Sequence, residues 1–373
     1  MDATLWATTS AAVLLVTMLL NAVVNVSWLQ ISSRVSSNAD LNAGPASGPW
    51  PDVDVFIPAR NEEANLKRLL ESLFGQEYAG KFRVHVHDDA SEDRTWDVLA
   101  ACADVRLRKE RGEGPPAGWM GKVYALYRLT RGAEGACYLF LDADTELVDR
   151  YALHRLVSKF RHSGAVLGTG VTRLRGGGLL LGSHIGGVIL SAIPWWLGKS
   201  LPTSSMAGVN GQCWLMDGAA YRRTEPHLHV KGEVLEDIHI GRYLFRSGYT
   251  PVMLNAQTEV LVHMYDDLHD AWLGYRKNAY AISGGTPFRA IAVFAIYVWL
   301  VVVAPVLAPG LAVVLVGTRF VTDRFLGLPW WVTLMAPVSY VLGGLIQVSS
   351  AQAHFTGTAQ WKGRQVAASA MKP

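Results

Sequence analysis

Tyr138–Glu146 reads YLFLDADTE. Four apolar or aromatic residues run into Asp142, Ala143 and Asp144. Such a run predicts a buried strand whose C-terminal edge carries two carboxylates. Carboxylate oxygens are hard ligands, suited to Mg²⁺ or Mn²⁺. An ion held there would neutralise a departing diphosphate. The carboxyl end of a strand is also where open α/β sheets hold their ligands. Taken alone, a D-x-D tripeptide is also the acidic pair common at the start of a loop.

On both sides of this stretch strand and helix patterns alternate. VDVFIP (53–58) predicts a strand, and Asn61–Gln76 an amphipathic helix with Leu66, Leu69, Leu70, Leu73 and Phe74 inward. FRVHVHDD (82–89) is a second strand ending in two aspartates, followed by the helix TWDVLAAC (95–102) and the strand VRLRKE (105–110). The loop GEGPPAGWMGK leads into the helix VYALYRLTRGA (123–133). After the DAD strand come the helix YALHRLVSKFR (151–161) and the strand AVLGTGVTRL (165–174). This alternation predicts an α/β fold, a mostly parallel Rossmann-like sheet with helices on both faces. Further on, VNGQCWLMDGAAYRR reads as strand, turn and helix start, and VLEDIHIGRYLFRSGY as a helix. PVMLNAQTEVLVHMY reads as one or two strands, and DDLHDAWLGYRKNAYAISGG as an aromatic-rich amphipathic helix.

The chain has 373 residues, of which 50% are apolar and only 17% charged. That charge content is low for a soluble protein, and the apolar excess sits at the two ends. A net charge of +3, with no basic stripe interleaved with aromatics, argues against a nucleic-acid partner. Cys102, Cys137 and Cys213 share no C-x-x-C spacing, which argues against a disulfide framework or a zinc site.

Residues 1–33 predict a retained N-terminal transmembrane helix, since no charge falls between Asp2 and Arg34 and no basic region precedes the apolar run. Residues 34–50, small and rich in Pro and Gly, predict a linker. Residues 51–289 would form the catalytic domain. Within 290–350, Ala290–Val316 and Pro329–Val348 predict two C-terminal spans joined by a short loop, giving three transmembrane helices in all. Arg34, Arg276, Lys277, Arg289, Lys362 and Arg364 would then flank one side, with Arg319 and Arg324 opposite, offset by Asp323. The bias predicts a multi-pass protein of a bacterial-type inner membrane, with the catalytic domain and the tail, 351–373, cytoplasmic. The section near 176–197, GGGLLLGSHIGGVILSAIPWW and its flank, is apolar and glycine-rich. An interfacial helix, a short span and a buried helix closing the sheet all stay open for it.

The strand end PARNEE, HDDASEDRT, FLDAD and a later VLED together resemble the family 2 glycosyltransferases, whose fold is called GT-A. The likeness covers about Asp52 to Tyr280. PPAGWMGKVYAL, VNGQCWLM and the apolar C-terminal part are similar to a membrane-attached subgroup that includes hopanoid-associated and carotenoid (diaponeurosporenoate-type) glycosyltransferases. The resemblance implies roles residue by residue. Ala59 and Glu62 would line the nucleotide pocket, Asp89 would contact the uracil and Asp88 would support it. Lys122 would lie near the nucleotide or its phosphates. Asp142 would hold ribose or sugar hydroxyls beside the metal, and Asp144 would bind Mn²⁺ or Mg²⁺ bridging the diphosphate. Asp237 would be the general base with Glu236 beside it, and Gly211 and Gln212 would lie by the sugar and acceptor. Some enzymes of this fold set a late histidine on the metal, which makes His263 a candidate; a surface or core histidine is the other reading.

From chemistry alone, the bland readings are helix capping by Asn61 and by the aspartates of the Asp88-Asp89 pair. Where cellulose- and hyaluronan-type synthases carry Q-x-x-R-W, this chain has Tyr275-Arg276-Lys277-Asn278, which favours transfer of a single sugar over polymer synthesis. The expected activity is inverting transfer of one sugar from a UDP-sugar, UDP-glucose by family default, to a lipid within the bilayer. The acceptor would be a carotenoid or hopanoid hydroxyl or carboxylate; ceramide, diacylglycerol or polyprenyl phosphate is the alternative. A membrane scaffold without catalysis is the reading of a different class, and the presence of Asp89, Asp142, Asp144 and Asp237 speaks against it.

Overall fold

A computed structural model of the chain describes residues 3–42, 49–198, 200–358, 360–361 and 364–365. Two compact units are present. One comprises Leu29–Arg173 and Leu197–His263; the other comprises Met1–Trp28, Leu174–Trp196 and Met264–Pro373.

The first unit holds β1 (Val53–Ala59), β2 (Phe82–Asp89), β3 (Leu107–Gly112), β4 (Cys137–Leu141), β5 (Thr145–Leu147) and β6 (Leu167–Val171). A short β7 (Arg173–Gly176) leads out of it, and β8 (Cys213–Asp217), β9 (Val252–Asn255) and β10 (Val260–Tyr265) follow. The main sheet has the order β3-β2-β1-β4-β8-β6-β9. β2 lies parallel to both β1 and β3, β1 to β4, and β6 to β9. β8 runs antiparallel to both β4 and β6, so the expected mostly parallel sheet is mixed. The reason is local. Cys213 pairs with Leu141 and Asp217 with Cys137, so the chain enters β8 at the edge where β4 ends and must run back. The turn before β8 is thereby set next to the DAD turn.

Packing follows the apolar pattern. Leu66, Leu69, Leu70 and Leu73 of the helix Glu63–Phe74 are buried. Phe56, Tyr138, Phe140, Trp214 and Met216 form the centre of one core, in which Phe140 stacks on Trp214 at 3.8 Å between ring centroids. Such a pair contributes about 1 kcal/mol beyond its buried area. At the other end of the sheet, fully buried Asp54 accepts from Arg83 Nε at 2.7 Å and from the Gly135 amide at 2.7 Å, with His85 Nε2 2.9 Å away.

The helix after β1 begins at Glu63, two residues later than expected, and Asn61 does not cap it. Asn61 adopts φ +52° and its side-chain oxygen accepts from the Glu92 amide at 2.9 Å. The cap position falls to Glu62, which makes no capping bond with its side chain.

The second unit corrects the expected membrane segments. Among the described residues two helices, not three, are long and apolar enough to cross a membrane: Thr4–Ser33 and Pro287–Leu307. The run Ala290–Val316 is broken at Ala308, with φ −138° and ψ 88°, just ahead of Pro309. Proline disfavours helical geometry in the residue before it, which sets the break there. The next helix, Gly310–Phe325, runs through most of the expected loop. Its Arg319 and Asp323 are buried rather than solvated. Arg319 Nε lies 3.5 Å from Asp323 Oδ1, Ser183 bonds to both side chains, and Thr333 donates to Asp323 Oδ2 at 2.9 Å. Pro329–Val348 is likewise divided at Met335, and the following helix Ala336–Phe355 carries Ser339, Gln347, Ser349 and Ser350. Leu179–Ala192 is a helix of 14 residues, shorter than a span, with Ser183 and His184 buried. Residues 35–42 of the expected linker continue the N-terminal helix Ala3–Asn42, whereas 43–48 lie outside the described residues, as do 366–373 of the expected tail.

Candidate active site

β1, β2 and β4 are parallel neighbours, so their C-terminal ends share one edge of the sheet. Ala59 ends β1 and sits opposite Asp88; Asp88 and Asp89 end β2; Asp142 follows β4 directly. From β2 to β4 is two strand spacings, about 10 Å. The residues expected to line a nucleotide pocket are therefore neighbours along this edge.

The loops after β1 and β2 are bonded to each other. The Asn61 amide donates to Ser91 Oγ at 3.0 Å, the Glu62 amide to Thr95 Oγ1 at 2.8 Å, and Glu62 accepts from Asn65 at 2.8 Å. Asp88 is fully buried and accepts from the Ser91 amide at 3.1 Å, with Arg111 Nε 3.7 Å away. That bond closes the turn after β2; the helix cap that was the bland alternative for this pair falls instead to Arg94, which makes no capping bond with its side chain. Arg60, which carried no role in the sequence reading, donates to the carbonyls of Asp89 at 2.8 Å and Ala90 at 2.7 Å. Ala90 is held at φ +52°, a conformation that costs an alanine roughly 1–2 kcal/mol. Arg60 was visible only as a letter in PARNEE, because a bond to a carbonyl thirty residues on leaves no sequence signal.

Lys122 is the second residue of the helix Gly121–Thr130. Its Nζ lies 2.7 Å from Asp142 Oδ1 and 3.0 Å from Glu236 Oε1. Burial opposes its charge, yet Asp142 and Glu236 outweigh that and push its pKa above the ordinary lysine range. Asp142 itself is pushed up by burial, against the pull of Lys122. Glu236 and Asp237 open the helix Glu236–Arg246. Asp237 is raised to about 6, first by burial and then by Glu236, with Lys122 opposing. Its Oδ1 accepts from the Ile238 amide at 2.8 Å.

The turn before β8 closes this group. The Asp142 amide donates to the Gln212 carbonyl at 3.4 Å, and the Val209 amide to the Asp237 carbonyl at 3.3 Å. Gln212 Oε1 accepts from Thr172 at 2.9 Å, which holds its side chain against β6's end. Gly211 leaves the Lys122 ammonium its place, and a larger residue there would make that side chain give by a few tenths of an ångström. A Cβ there would lie 3.0 Å from Lys122 Nζ and 3.5 Å from Asp237 Oδ2. Lys122, Asp142, Gly211, Glu236 and Asp237 thus come together from four separate stretches of the chain.

On the far side of the DAD turn, β10 pairs antiparallel with β5, and the His263 amide donates to the Asp144 carbonyl at 2.8 Å. The His263 ring nitrogen Nε2 is 2.7 Å from Glu146 Oε2. Glu146 had no role in the sequence reading. Half-buried His239 lies with its Nε2 3.5 Å from Glu233 Oε2. Among the described residues no three or more His, Cys, Asp or Glu side chains converge as a metal cluster. Asp142 and Asp144 flank one turn, and a cation that draws most of its ligands from phosphates needs only one or two such protein oxygens.

The model of the glycosyl transferase family 2 matches residues 54–220, the stretch that carries the strand ends just described. An N-acetylglucosaminyltransferase of Bradyrhizobium sp. is 42% identical over 147 residues, covering 38% of this chain and 94% of that sequence. A 4,4'-diaponeurosporenoate glycosyltransferase of Staphylococcus haemolyticus is 33% identical over 108 residues, 29% of this chain and 28% of the relative. The chain spans less than a third of the length of this and other curated relatives. A mannosyltransferase of Pyrobaculum calidifontis, solved with GDP-mannose and Mn²⁺, shares the fold at a TM-score of 0.50 and 16% identity, over 90% of this chain and 98% of that one.

Proposed function

The chain belongs to glycosyltransferase family 2, and from that premise we propose that it moves a single sugar from a UDP-sugar to a lipid acceptor with inversion at the anomeric carbon. The observation that carries the reading is Lys122, bonded at once to the strand-end Asp142 and to Glu236 beside the candidate base. Donor-side and acceptor-side carboxylates meet at one ammonium.

Asp237 takes the proton of the acceptor hydroxyl as that oxygen attacks the anomeric carbon. The bond from that carbon to the diphosphate oxygen breaks on the opposite face, and UDP leaves. The face-of-attack logic is that of an inverting glycosidase with a lipid oxygen in place of water. A carboxyl near 6 is charged at neutral pH yet basic enough to accept the proton. Lys122 fixes Asp142 and Glu236 and contributes positive charge toward the developing diphosphate. Asp88 and Asp89, at the end of β2, meet the uracil, while Glu62 and Ala59 flank it. Asp144, with Asp142 and His263 beside it, would hold Mn²⁺ or Mg²⁺. That ion, when bound, neutralises the leaving diphosphate.

A lipid acceptor is supported by the apolar helices Thr4–Ser33 and Pro287–Leu307, and by likeness to the diaponeurosporenoate enzyme. The favoured acceptor is a carotenoid or hopanoid, with the catalytic unit facing the cytoplasm. Glucose is the favoured sugar; N-acetylglucosamine is the second reading, favoured by the Bradyrhizobium relative. The test is a panel of UDP-sugars offered with extracted membrane lipids and Mn²⁺, using wild type and Asp144→Ala. Wild type should add one hexose to a polyene or hopanoid and the variant should add none. Activity independent of divalent metal would contradict the reading.

A further inference from the structure

We infer that residues 179–197 form a re-entrant membrane segment: the helix Leu179–Ala192 ends inside the bilayer, is held there by Asn21 and Asn25, and turns its outer face to lipid. The inference takes Thr4–Ser33 as a span and does not depend on the transfer chemistry. Asparagines inside a span are rare and costly unless they find partners. Asn25 stands nine residues before Arg34, about 14 Å along a helix that rises 1.5 Å per residue. With Arg34 at the interface, Asn25 reaches nearly the middle of a hydrocarbon layer about 30 Å thick. It is fully buried. An α-helix leaves its last four carbonyls unpaired. In Leu179–Ala192 three of those are met by side chains: Ile189 by Trp195 Nε1 at 3.0 Å, Leu190 by Asn25 Nδ2 at 2.8 Å and Ser191 by Asn21 Nδ2 at 2.8 Å. Asn25 Nδ2 also donates to the Ile193 carbonyl at 2.8 Å. The two Oδ1 atoms accept from Trp196, Asn25 from its amide and Asn21 from its indole, both at 3.2 Å. Water would satisfy such a helix end unaided, whereas in hydrocarbon each group must find its partner within the protein.

The two faces of the helix agree with this placement. On the inner face Ser183 bonds to Arg319 and Asp323, and His184 lies edge-on to the rings of Tyr297 and Tyr340, 5.7 Å from each. On the outer face Val188, Ile189 and Ala192 are exposed. Fourteen residues rise about 21 Å, too little to cross. Arg173 and Arg175 precede the segment and Lys199 follows it, so basic residues flank both of its ends. The chain leaves the first unit after Arg173 and rejoins it at Leu197. A segment that enters the bilayer here therefore leaves by the face it entered. A helix lying flat at the interface would have wetted terminal carbonyls, and a fully buried one would not show Val188 and Ile189.

The test uses the full chain carrying Cys102→Ser, in sealed membrane vesicles, with one nitroxide label at a time read by collision with oxygen and with a water-soluble nickel chelate. Labels on Val188→Cys, Ile189→Cys and Ala192→Cys should meet oxygen and be shielded from nickel, with depth increasing from Ile185→Cys to Ala192→Cys. An impermeant maleimide should reach Arg175→Cys and Ser200→Cys from the same side of the vesicle. Asn21→Leu/Asn25→Leu should erase the depth gradient while a label on Val13→Cys stays as deep as before, which reports an intact span. Asn21→Leu alone, which removes one carbonyl's partner, should lose part of the gradient. Equal, shallow depth along 185–192 would overturn the inference in favour of an interfacial helix. Labelling of Arg175→Cys and Ser200→Cys from opposite sides would overturn it in favour of a span. An unchanged gradient in both asparagine variants would overturn the role of Asn21 and Asn25. Nickel access at Val13→Cys with both asparagines in place would overturn the membrane reading as well, and a failed gradient with Val13→Cys still deep would overturn this inference alone.

Discussion

At the scale of single residues the proposed transfer turns on Asp237. Its carboxyl is raised to about 6 by burial and by Glu236. The base must be ionised to act, so kcat/KM toward a hydroxyl acceptor should be flat above about pH 6 and fall about tenfold per pH unit below it. Lys122 favours the charged form, so Lys122→Met should move that limb to higher pH as well as lower the rate. Asp237→Asn should cost about 100-fold or more in kcat with UDP binding retained. An acceptor that reacts as a carboxylate would need no base, and the acid limb would then be absent, so the pH profile also separates the two acceptor chemistries. Gly211→Ala forces a methyl to within 3.0 Å of Lys122 Nζ. It should lower activity about tenfold or more through displacement of that ammonium, a loss of about 1.4 kcal/mol in transition-state binding, while the melting temperature stays near that of wild type.

At the scale of elements, the strands that end in the site were legible because each is an apolar run stopped by acidic residues. β2 was bounded in advance at Phe82 and Asp89. The direction of β8 was not legible. Whether CWLMD runs with or against its neighbours depends on where the preceding turn docks, and periodicity carries no information about that. Nor was the bonding between the loops after β1 and β2, since Asn61 reads equally as a helix cap. The same sheet yields a stability prediction at its other end. Asp54 is buried, which opposes ionisation, but His85, Arg83 and the Gly135 amide hold its carboxyl well below the usual carboxylate range. A depressed carboxyl stabilises the fold above its unfolded value, about 4, and that contribution drains away as pH falls further. Asp54→Asn should therefore destabilise the protein by about 3 kcal/mol near neutral pH, by stranding Arg83 and His85. The gap to wild type should narrow in acid. A thermal melt series in detergent from neutral to acid pH checks both parts.

At the scale of the whole molecule, hydropathy found the apolar ends but misjudged their subdivision. A charge count treated Arg319 and Asp323 as a solvated loop, whereas each serves as the other's partner inside a helix. Pro309 and Met335 divide runs that composition alone reads as continuous. Motifs mark Lys122, Asp142, Glu236 and Asp237 one by one, but the meeting of Asp142 and Glu236 at the Lys122 ammonium was not legible, because only the sheet order brings them together. The proposed transfer is tested most directly by following a labelled sugar from UDP-glucose in membranes that contain wild type or Asp237→Asn, with the lipid extract read by mass spectrometry and the new linkage by its anomeric configuration. The prediction is one hexose per lipid, in the configuration opposite to the donor's, made by wild type and not by Asp237→Asn. Retained configuration, a ladder of added sugars, or equal product from the variant would contradict it.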